Sequence, residues 1–313
     1  MSKVMFVGDC HFSPRTPVSR KDDYPETLLS KLNSLHSMCL DLGITTVVFL
    51  GDLINTSQMN MEYFIKLYGA FSNFKEDGIE LKTIIGNHDI AHGNVDFLDK
   101  SPLTILFASK LFSNFDFSID DCYFRLENYY CGVDSLVPFK GIITNAKYGV
   151  FVGHYFYLSG FGDMAHTLTP DLCKKLGYNL YLLGHDHTPY EPLSINGYEV
   201  HRPGSFSRAT SDTCQVNRDE IGVCIFDTET HKMEYKNIPN VLPSKDVYKE
   251  SKLLSKLNES SIDISLSEDI DNLIDSLTFD FSSDIYKVLD DMNLEEEVKK
   301  KAIEYLESEG MFR

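Results

Sequence analysis

The sequence predicts an α/β fold in which a layered β-sheet is flanked by helices. Short apolar segments that end in glycine, such as KVMFVG at 3–8 and TTVVFLG at 45–51, alternate with longer amphipathic segments such as 25–42. Strands that alternate with helical segments are typical of sheets covered by helices. With 313 residues, 42% of them hydrophobic, the chain has room for one large α/β domain and an appendage.

The elements keep this alternation along most of the chain. In chain order they are a strand at 3–8, a helix at 25–42, a strand at 45–51, a helix at 58–77, and strands at 81–86, 148–153, 178–184, 221–227 and 232–238. A glycine follows each of the two helices and stops it. The last two strands are close enough in sequence to form a hairpin, so we expect parallel strands to give way to antiparallel ones.

The charge, the cysteines and the N-terminus narrow the class of protein. A net charge of −18 repels nucleic acid, so DNA binding would need local basic residues, metal ions or a partner. The seven cysteines are scattered and form no CxxC pair, which indicates reduced thiols rather than disulfides or a zinc cluster. No apolar run has the length of a membrane span, and the N-terminus does not resemble a signal peptide. We therefore expect a cytoplasmic protein without a membrane segment.

Half of the net negative charge lies in the last part of the chain. Residues 241–313 carry 18 acidic and 9 basic side chains. This shift, together with the prolines of NIPNVLPSKD at 237–246, predicts one domain at 1–240 and a helical region at 241–313. Apolar residues spaced i, i+3, i+4, i+7 predict helices that start near Ile270 and Ile285. These helices either pack on the parent domain and on one another, or bind a partner through their apolar faces.

Five apolar strands end in glycine followed by residue types that bind metals, in the segments VGDCH, LGDL, IGNHD, VGHY and LGHDH. Ligand sites in α/β sheets gather at the carboxyl ends of strands. The candidate ligands are Asp9, His11, Asp52, Asn87, His154, His185 and His187. One such motif is weak evidence, but five in order indicate a metal centre. Carboxylates, imidazoles and an amide without thiolate suit manganese, iron or zinc better than calcium.

The ordered motifs D-x-H, GD, GNHD, GH and GHxH resemble those of the calcineurin-like metallophosphoesterase superfamily over residues 9–187. The resemblance implies a two-sheet sandwich flanked by helices, with two divalent metal ions, manganese above all, at one rim. It implies that Asp9, His11 and His187 hold one ion, that Asn87, His154 and His185 hold the other, and that Asp52 bridges them. His88 would be the catalytic histidine, and Asp89 would either orient its imidazole or cap the turn.

Within this superfamily the chain is similar to SbcD-type DNA nucleases, including phage versions. The similar segments are GHYFYLSGF at 153–161, VHRPGSFSRATSD at 200–212 and the strand pair at 222–240. The resemblance implies a metal-dependent DNA nuclease of a repair or recombination complex, whose SbcC-type ATPase partner binds the C-terminal helices. The segment after Asn240 is short for the DNA-capping domain of such nucleases, so we expect that domain to be reduced or missing.

Two arginines and one histidine near the predicted metal centre are further candidates for the site. Arg15 and Arg208 are the basic residues that we expect to contact DNA phosphates near the rim. His166 is predicted to be a loop histidine, with a place in the active site as the alternative.

Two other functions stay open at this point. The first is a stand-alone phosphodiesterase or phosphatase that acts on small nucleotides, which an acidic surface would suit. The second is a metal-free scaffold, which the intact ligand set disfavours. The sequence does not show whether the activity is that of an exonuclease or an endonuclease. It also leaves the oligomeric state open, and a homodimer is one of the alternatives.

Overall fold

The structure is a computed structural model, and it describes residues 2–55, 59–90, 95–129, 146–157, 167–195 and 197–250. The first half contains β1 (Lys3–Val7), α1 (Tyr24–Leu42), β2 (Thr46–Phe49), α2 (Met61–Glu76), β3 (Glu80–Thr83), a 3-10 helix (Val95–Lys100), α3 (Pro102–Ala108), β4 (Phe112–Ser113), β5 (Phe117–Ile119) and β6 (Cys122–Glu127). The second half contains β7 (Tyr148–His154), β8 (Phe156–Tyr157), β9 (Thr167–Leu168), α4 (Pro170–Leu176), β10 (Leu180–Gly184), β11 (Tyr190–Ile195), β12 (Tyr198–Arg202), α5 (Thr213–Val216), β13 (Gly222–Asp227), β14 (Lys232–Asn237) and α6 (Ser244–Val247).

The strands form two six-stranded mixed sheets. In the first sheet the order is β14-β13-β1-β2-β3-β4, and β1 to β4 run parallel while β13 and β14 are antiparallel additions. In the second the order is β11-β12-β10-β7-β6-β5, with a parallel centre and an antiparallel strand at each edge. Strands β8 and β9 form a small separate pair.

Three apolar layers follow from this arrangement. One lies between the sheets, where Phe6 and Val48 of the first sheet join Phe124 and Val152 of the second in one buried cluster. A second layer packs α1, α2 and α3 on the outer face of the first sheet, and a third packs α4 on the outer face of the second. Strands buried on both faces are uniformly apolar, which is why TVVF and LYLLG contain no alternating polar residues.

Local sequence signals begin and end the two long helices. Asp23 caps α1 by accepting a hydrogen bond from the amide of Glu26, and Gly43 ends the helix in the left-handed conformation with φ 64°. Asn60 caps α2 in the same way, through the amide of Tyr63. These caps direct the chain from each strand into its helix and back to the sheet edge.

The structure confirms the predicted fold class, two sheets flanked by helices. The predicted strands at 3–8, 45–51, 148–153, 178–184 and 221–227 agree with observed strands to within a few residues. Strands β5, β6, β11 and β12 were not predicted, because their polar and aromatic residues obscure the periodicity. Among the helices that the structure describes, none has the length and apolarity that crossing a membrane requires.

Residues 241–250 pack with the preceding residues, and Val247 and Tyr248 are buried there. The domain boundary expected at 240 stays a prediction. The helices predicted from Ile270 onward lie outside the described residues.

Candidate metal centre

The predicted ligands lie where strands of both sheets end. Asp9 follows β1, Asp52 follows β2 and Asn87 follows β3, three parallel neighbours in the first sheet. His154 is the last residue of β7 and His185 follows β10, a parallel pair in the second sheet. Parallel neighbours place their carboxyl ends at the same edge of a sheet. The two sheets therefore bring these side chains to one rim of the sandwich.

The imidazoles at this rim contact one another directly. Nε2 of His11 lies 3.0 Å from Nε2 of His187. On the other side of the rim, Nε2 of His154 lies 3.2 Å from Nδ1 of His185 and 3.0 Å from Oδ1 of Asn87. These residues come from distant parts of the sequence, so the fold assembles two groups of ligand atoms that face each other.

Two carboxylates lie between these groups. Oδ2 of Asp52 is 3.4 Å from Nε2 of His154 and 3.7 Å from Nε2 of His11. Oδ2 of Asp9 is 3.6 Å from Nε2 of His187. The ligand atoms of Asp9, His11 and His187 all lie within 4.8 Å of one another, and so do those of Asp9, Asp52 and His154. All the predicted ligands therefore converge, and Asp52 contacts both groups.

The backbone is strained at three of these positions. The φ angles of His11, Asp52 and His185 are 45°, 46° and 79°, in the left-handed region that costs free energy for residues other than glycine. Gly51 has φ 88°, and a Cβ there would lie 2.5 Å from Nδ1 of His154. Such strain persists where the surrounding structure holds a side chain in a required direction, and here it turns these ligands towards the rim.

The donor set fits a divalent metal ion. Nδ1 of His154 lies 2.8 Å from the carbonyl oxygen of Leu50, which can only accept, so Nδ1 carries a proton and Nε2 is the nitrogen that can bind a metal ion. That nitrogen faces the Asn87 and Asp52 oxygens and Nδ1 of His185. A proton on Nε2 can be donated to only one of these atoms, whereas a metal ion at this place could bind several of them at once.

The electrostatics of the rim also favour a bound cation. Burial by itself raises the pKa of Asp52, but the imidazoles of His154 and His88 outweigh it and hold that pKa well below its ordinary value. Burial lowers the pKa of His11 well below that of an exposed histidine. Burial opposes a charge on His154 as well, yet Asp52 and Asp9 raise its pKa to about 9. Asp52 and His11 therefore have the forms that bind metals, an ionised carboxylate and a neutral imidazole. A metal ion on His154 would displace the proton that Asp52 and Asp9 stabilise there.

His88 lies at the edge of this cluster and is partly exposed. Its backbone amide donates to Oδ1 of Asp52 over 2.8 Å, and its ring meets that of His11 edge to face at a centroid distance of 4.9 Å. Ligand atoms of His11, Asp52 and His88 lie within 4.8 Å of one another. The side chain of His88 is therefore close to the candidate ligand atoms and still reaches solvent.

The carboxylate of Asp89 holds the backbone of the turn. Its Oδ1 accepts from the amide of Ile54 over 2.9 Å and its Oδ2 accepts from the amide of Gly86 over 2.8 Å. Burial, and after it the charge of Asp52, raise the pKa of Asp89 to about 8, although the two amide hydrogen bonds act in the opposite direction. Of the two roles expected from the sequence, these contacts correspond to turn capping.

The two arginines predicted to contact DNA have different environments. Arg15 is exposed, in the loop after β1. Arg208 has no exposed surface, and its guanidinium donates to the carbonyl oxygens of Arg218 and Leu242 over 2.7 Å and 2.6 Å. A buried guanidinium cannot contact a DNA phosphate, so the prediction for Arg208 is wrong. His166 lies outside the described residues.

Sequence reasoning missed residues that support the ligands from behind. The hydroxyl of Ser205 and the amide of Phe206 donate to the carbonyl oxygen of Asp9 over 3.1 Å and 2.9 Å. The ring of Phe156 packs against that of His185 at a centroid distance of 4.2 Å. The PGS segment was the signal for Ser205, whereas nothing in the sequence around Phe156 separates it from a core aromatic residue.

Comparison with known proteins places the chain in a class. It belongs to the calcineurin-like phosphoesterase family, whose model matches residues 2–189 and so includes every predicted ligand. This confirms the family predicted from the motifs. The family defines the chain as a hydrolase of phosphoesters. Its members use a dinuclear metal centre, and the Asp and His clusters at the rim could hold such ions.

Particular relatives were found in sequence and in structure. The chain is 26% identical over 254 residues to Exonuclease subunit 1 of Enterobacteria phage T4. The aligned region covers 76% of this chain and 68% of that protein. A dimetal phosphatase from Danio rerio is similar in structure, with a TM-score of 0.50 and 10% identity over 75% of this chain and 95% of the other. The second likeness concerns the fold alone.

Proposed function

We propose that the protein is a metal-dependent DNA nuclease, the catalytic subunit of an SbcCD-like repair or recombination complex. The observation that carries this proposal is the similarity to Exonuclease subunit 1, which extends over 254 residues and is therefore longer than the family match at 2–189. A phosphodiester is the bond that an exonuclease hydrolyses, and the family hydrolyses phosphoesters. The rim described above supplies the ligands that such chemistry needs.

The two groups of ligand atoms support a specific assignment. One ion would be held by Asp9, His11 and His187, the other by Asn87, His154 and His185, with Asp52 between them. The support for Asp52 as the bridge is that its Oδ2 lies within 3.4 Å and 3.7 Å of one imidazole from each group. Manganese is our proposed ion, with iron or zinc as alternatives, because the set combines carboxylate, amide and imidazole ligands.

The chain's own residues would share the chemistry as follows. Two bound divalent ions supply an activated water and neutralise charge on the phosphate. His88 is partly exposed beside the ligands, so it can donate a proton to the leaving oxygen or stabilise the charge that develops on the phosphate. Asp89 keeps the turn that carries Asn87 and His88 in place through Ile54 and Gly86.

DNA binding and partner binding belong to the same proposal. With a net charge of −18, the chain needs help to bind a polyanion. Bound metal ions and the exposed Arg15 provide part of it. We propose that an SbcC-type ATPase, bound through the C-terminal helices, provides the rest.

The proposal is tested with purified full-length protein. Linear duplex and single-stranded DNA, labelled at one end, are incubated with Mn²⁺ and, separately, with a chelator. His88→Ala is compared with His231→Ala as a control. His231 lies in the turn between β13 and β14, at the end of the first sheet opposite the candidate metal centre. We expect cleavage that requires Mn²⁺ and His88 and is unaffected by the His231 substitution.

Two other results would change the conclusion. Hydrolysis of a small phosphodiester without cleavage of DNA, in the presence of the ATPase partner as well, would support the alternative of a nucleotide phosphodiesterase or phosphatase. A protein that binds no divalent metal would contradict both enzymatic functions. Metal analysis of the purified protein distinguishes this case from the others.

A further inference from the structure

Residues 242–249 pack between two loops that flank the candidate metal centre. The amide of Lys21 donates to the carbonyl oxygen of Val247 over 2.9 Å, and the amide of Lys249 donates to that of Ser19 over 3.0 Å. Arg20 and Tyr248 form an antiparallel bridge at the same place. The segment that leaves the β-sandwich is thus attached to the loop that follows Asp9 and His11.

The side chain of Tyr248 also reaches the second loop. Its hydroxyl contacts the carbonyl oxygens of Arg208 and Thr210 at 3.2 Å and 2.8 Å, and it is fully buried. Arg20, whose guanidinium lies 5.9 Å from the centre of the Tyr248 ring, donates to the carbonyl oxygens of Ser207 and Arg208 over 3.0 Å and 2.7 Å. Together they fix the backbone at 207–210, which has no regular secondary structure.

The preceding residues of this loop hold two predicted ligands. The hydroxyl of Ser205 and the amide of Phe206 donate to the carbonyl oxygen of Asp9, and the amide of Ser205 donates to that of His187 over 3.0 Å. Lys31 of α1 is buried, and its Nζ donates to the carbonyl oxygen of Phe206 over 2.5 Å. Any shift of 205–208 therefore acts on the backbone of Asp9 and His187.

Four basic side chains are buried around this loop. Arg20, Lys31, Arg208 and Arg218 are each less than a tenth exposed, and all donate to backbone carbonyl oxygens around this loop. Removing a cation from water is costly unless its donors are satisfied, and of the buried nitrogens of these four side chains only Nε of Arg208 has no partner among the described residues. Such a cluster is stable in one arrangement of the loop and unfavourable in others. A loop held in this way is a rigid support rather than a flexible connection.

We propose that Tyr248 is a positioning residue of the metal centre, which acts through the 205–208 backbone on Asp9 and His187. The inference rests on the proposed function in taking this rim to be the metal centre. It adds that the segment through which the chain leaves the sandwich helps to set the geometry of the ligands. Metal affinity would therefore respond to changes in residues 242–249. The hydrogen bonds of residues 247–249 with the two loops run to the loop backbone at 19–21 and 208–210.

The test compares two substitutions that each remove one buried tyrosine hydroxyl. Tyr248→Phe removes the contacts to Arg208 and Thr210. Tyr181→Phe is the control, because the Tyr181 hydroxyl is also buried and donates to a carbonyl oxygen, that of Cys173, over 2.7 Å on the outer face of the second sheet. For both full-length variants we would measure Mn²⁺ affinity of the metal-free protein by calorimetry, thermal unfolding, and amide hydrogen exchange at 205–207.

We expect both variants to lose similar thermal stability, since each loses a buried hydrogen bond. Tyr248→Phe should bind Mn²⁺ about three- to tenfold more weakly, the effect expected for one displaced support, whereas Tyr181→Phe should bind it as the unsubstituted protein does. Exchange of the Phe206 amide should become faster in Tyr248→Phe and stay unchanged in the control. Equal Mn²⁺ affinity and unchanged exchange at 205–207 would overturn the proposal and leave Tyr248 with a purely structural role.

A second pair of variants covers the case in which Tyr248→Phe fails to fold. Lys31→Met removes the donor to Phe206, and Lys82→Met is its control. Lys82 is also a buried lysine over a phenylalanine ring, 4.6 Å from the Phe117 centroid against 4.8 Å for Lys31 and Phe206. We expect weaker Mn²⁺ binding and faster Phe206 exchange for Lys31→Met alone. Should the unsubstituted protein bind no Mn²⁺, the proposed function fails, and the exchange data still decide whether these residues hold the loop.

Discussion

Gly86 lies directly against Asp52, so closely that a Cβ added to Gly86 would stand 2.1 Å from Oδ1 of that carboxylate. The same Cβ would lie 2.3 Å from the backbone nitrogen of Asp52, so moving the side chain alone would not relieve the overlap. The glycine that ends the third apolar segment is thus required by the approach of its neighbour. It allows the turn that carries Asn87 and His88 to lie against the carboxylate of Asp52.

Gly86→Ala should therefore damage both stability and metal binding. Overpacking of this kind costs about 1–3 kcal/mol or more, and relief would require movement of Asp52. Gly69→Ala is the control, because Gly69 lies within α2 with nothing near its added Cβ and should gain about 0.5–1 kcal/mol in a helix. Urea unfolding and Mn²⁺ titration of both variants measure the effects. A Gly86→Ala protein with unchanged Mn²⁺ affinity would contradict the close approach.

Asp52→Asn should reduce the bound metal from two ions towards one. The carboxylate lies near imidazoles of both groups, so in the proposed centre its charge would keep two cations close together, and an amide lacks that charge. We expect hydrolysis to fall about a thousandfold, since metal-centred charge stabilisation contributes several kcal/mol. Metal content per chain and hydrolysis rate are the measurements. Asp41→Asn, at an exposed aspartate in the last turn of α1, should leave both unchanged.

His88→Gln should separate substrate chemistry from metal binding. His88 lies near enough to His11 and Asp52 to act as a ligand, so its role as an acid needs a direct test. If it acts on the substrate, kcat should fall about 10²- to 10⁴-fold while two Mn²⁺ ions remain bound. Loss of one ion together with activity would instead show that His88 is a ligand.

Asp89 substitutions should rank by the amides that they leave without an acceptor. Asp89→Ala leaves the buried amides of Ile54 and Gly86 unpaired, which costs about 2–4 kcal/mol in unfolding free energy. Asp89→Asn keeps one oxygen acceptor and should lose less. Thermal and urea unfolding would give the order. If Asp89→Asn instead unfolded like the unsubstituted protein and lost kcat, an effect on the His88 imidazole would be the better explanation.

The convergence of these side chains at one rim could be predicted from the sequence because residue type and position coincide at strand ends. Asp9, Asp52 and His154 each follow an apolar run and a glycine, and the fold needs only to bring those ends together. Arg208 shows the opposite case. An arginine after PGSFS suggests a surface that binds phosphate, yet its partners are the carbonyl oxygens of Arg218 and Leu242, which no periodicity indicates.

Lys31 is a buried polar residue that the helix pattern indicates, although the pattern does not indicate its partner. It lies between Leu28, Leu32 and Leu35 on the apolar face of α1, where a lysine must either reach solvent or find a buried acceptor. The acceptor, the carbonyl oxygen of Phe206, is 175 residues away. Long-range pairs of this kind depend on tertiary packing, so a single sequence does not specify them.

The rim draws its ligands from both halves of the sandwich, and this has a mechanical consequence. Asp9, Asp52 and Asn87 belong to one sheet, while His154 and His185 belong to the other. An ion bound among them would act as a cross-link between two layers that otherwise adhere through apolar contact. Loading the site would then raise the resistance of the whole sandwich to heat and proteolysis, and removing the metal would let the layers part first at the rim that carries these side chains.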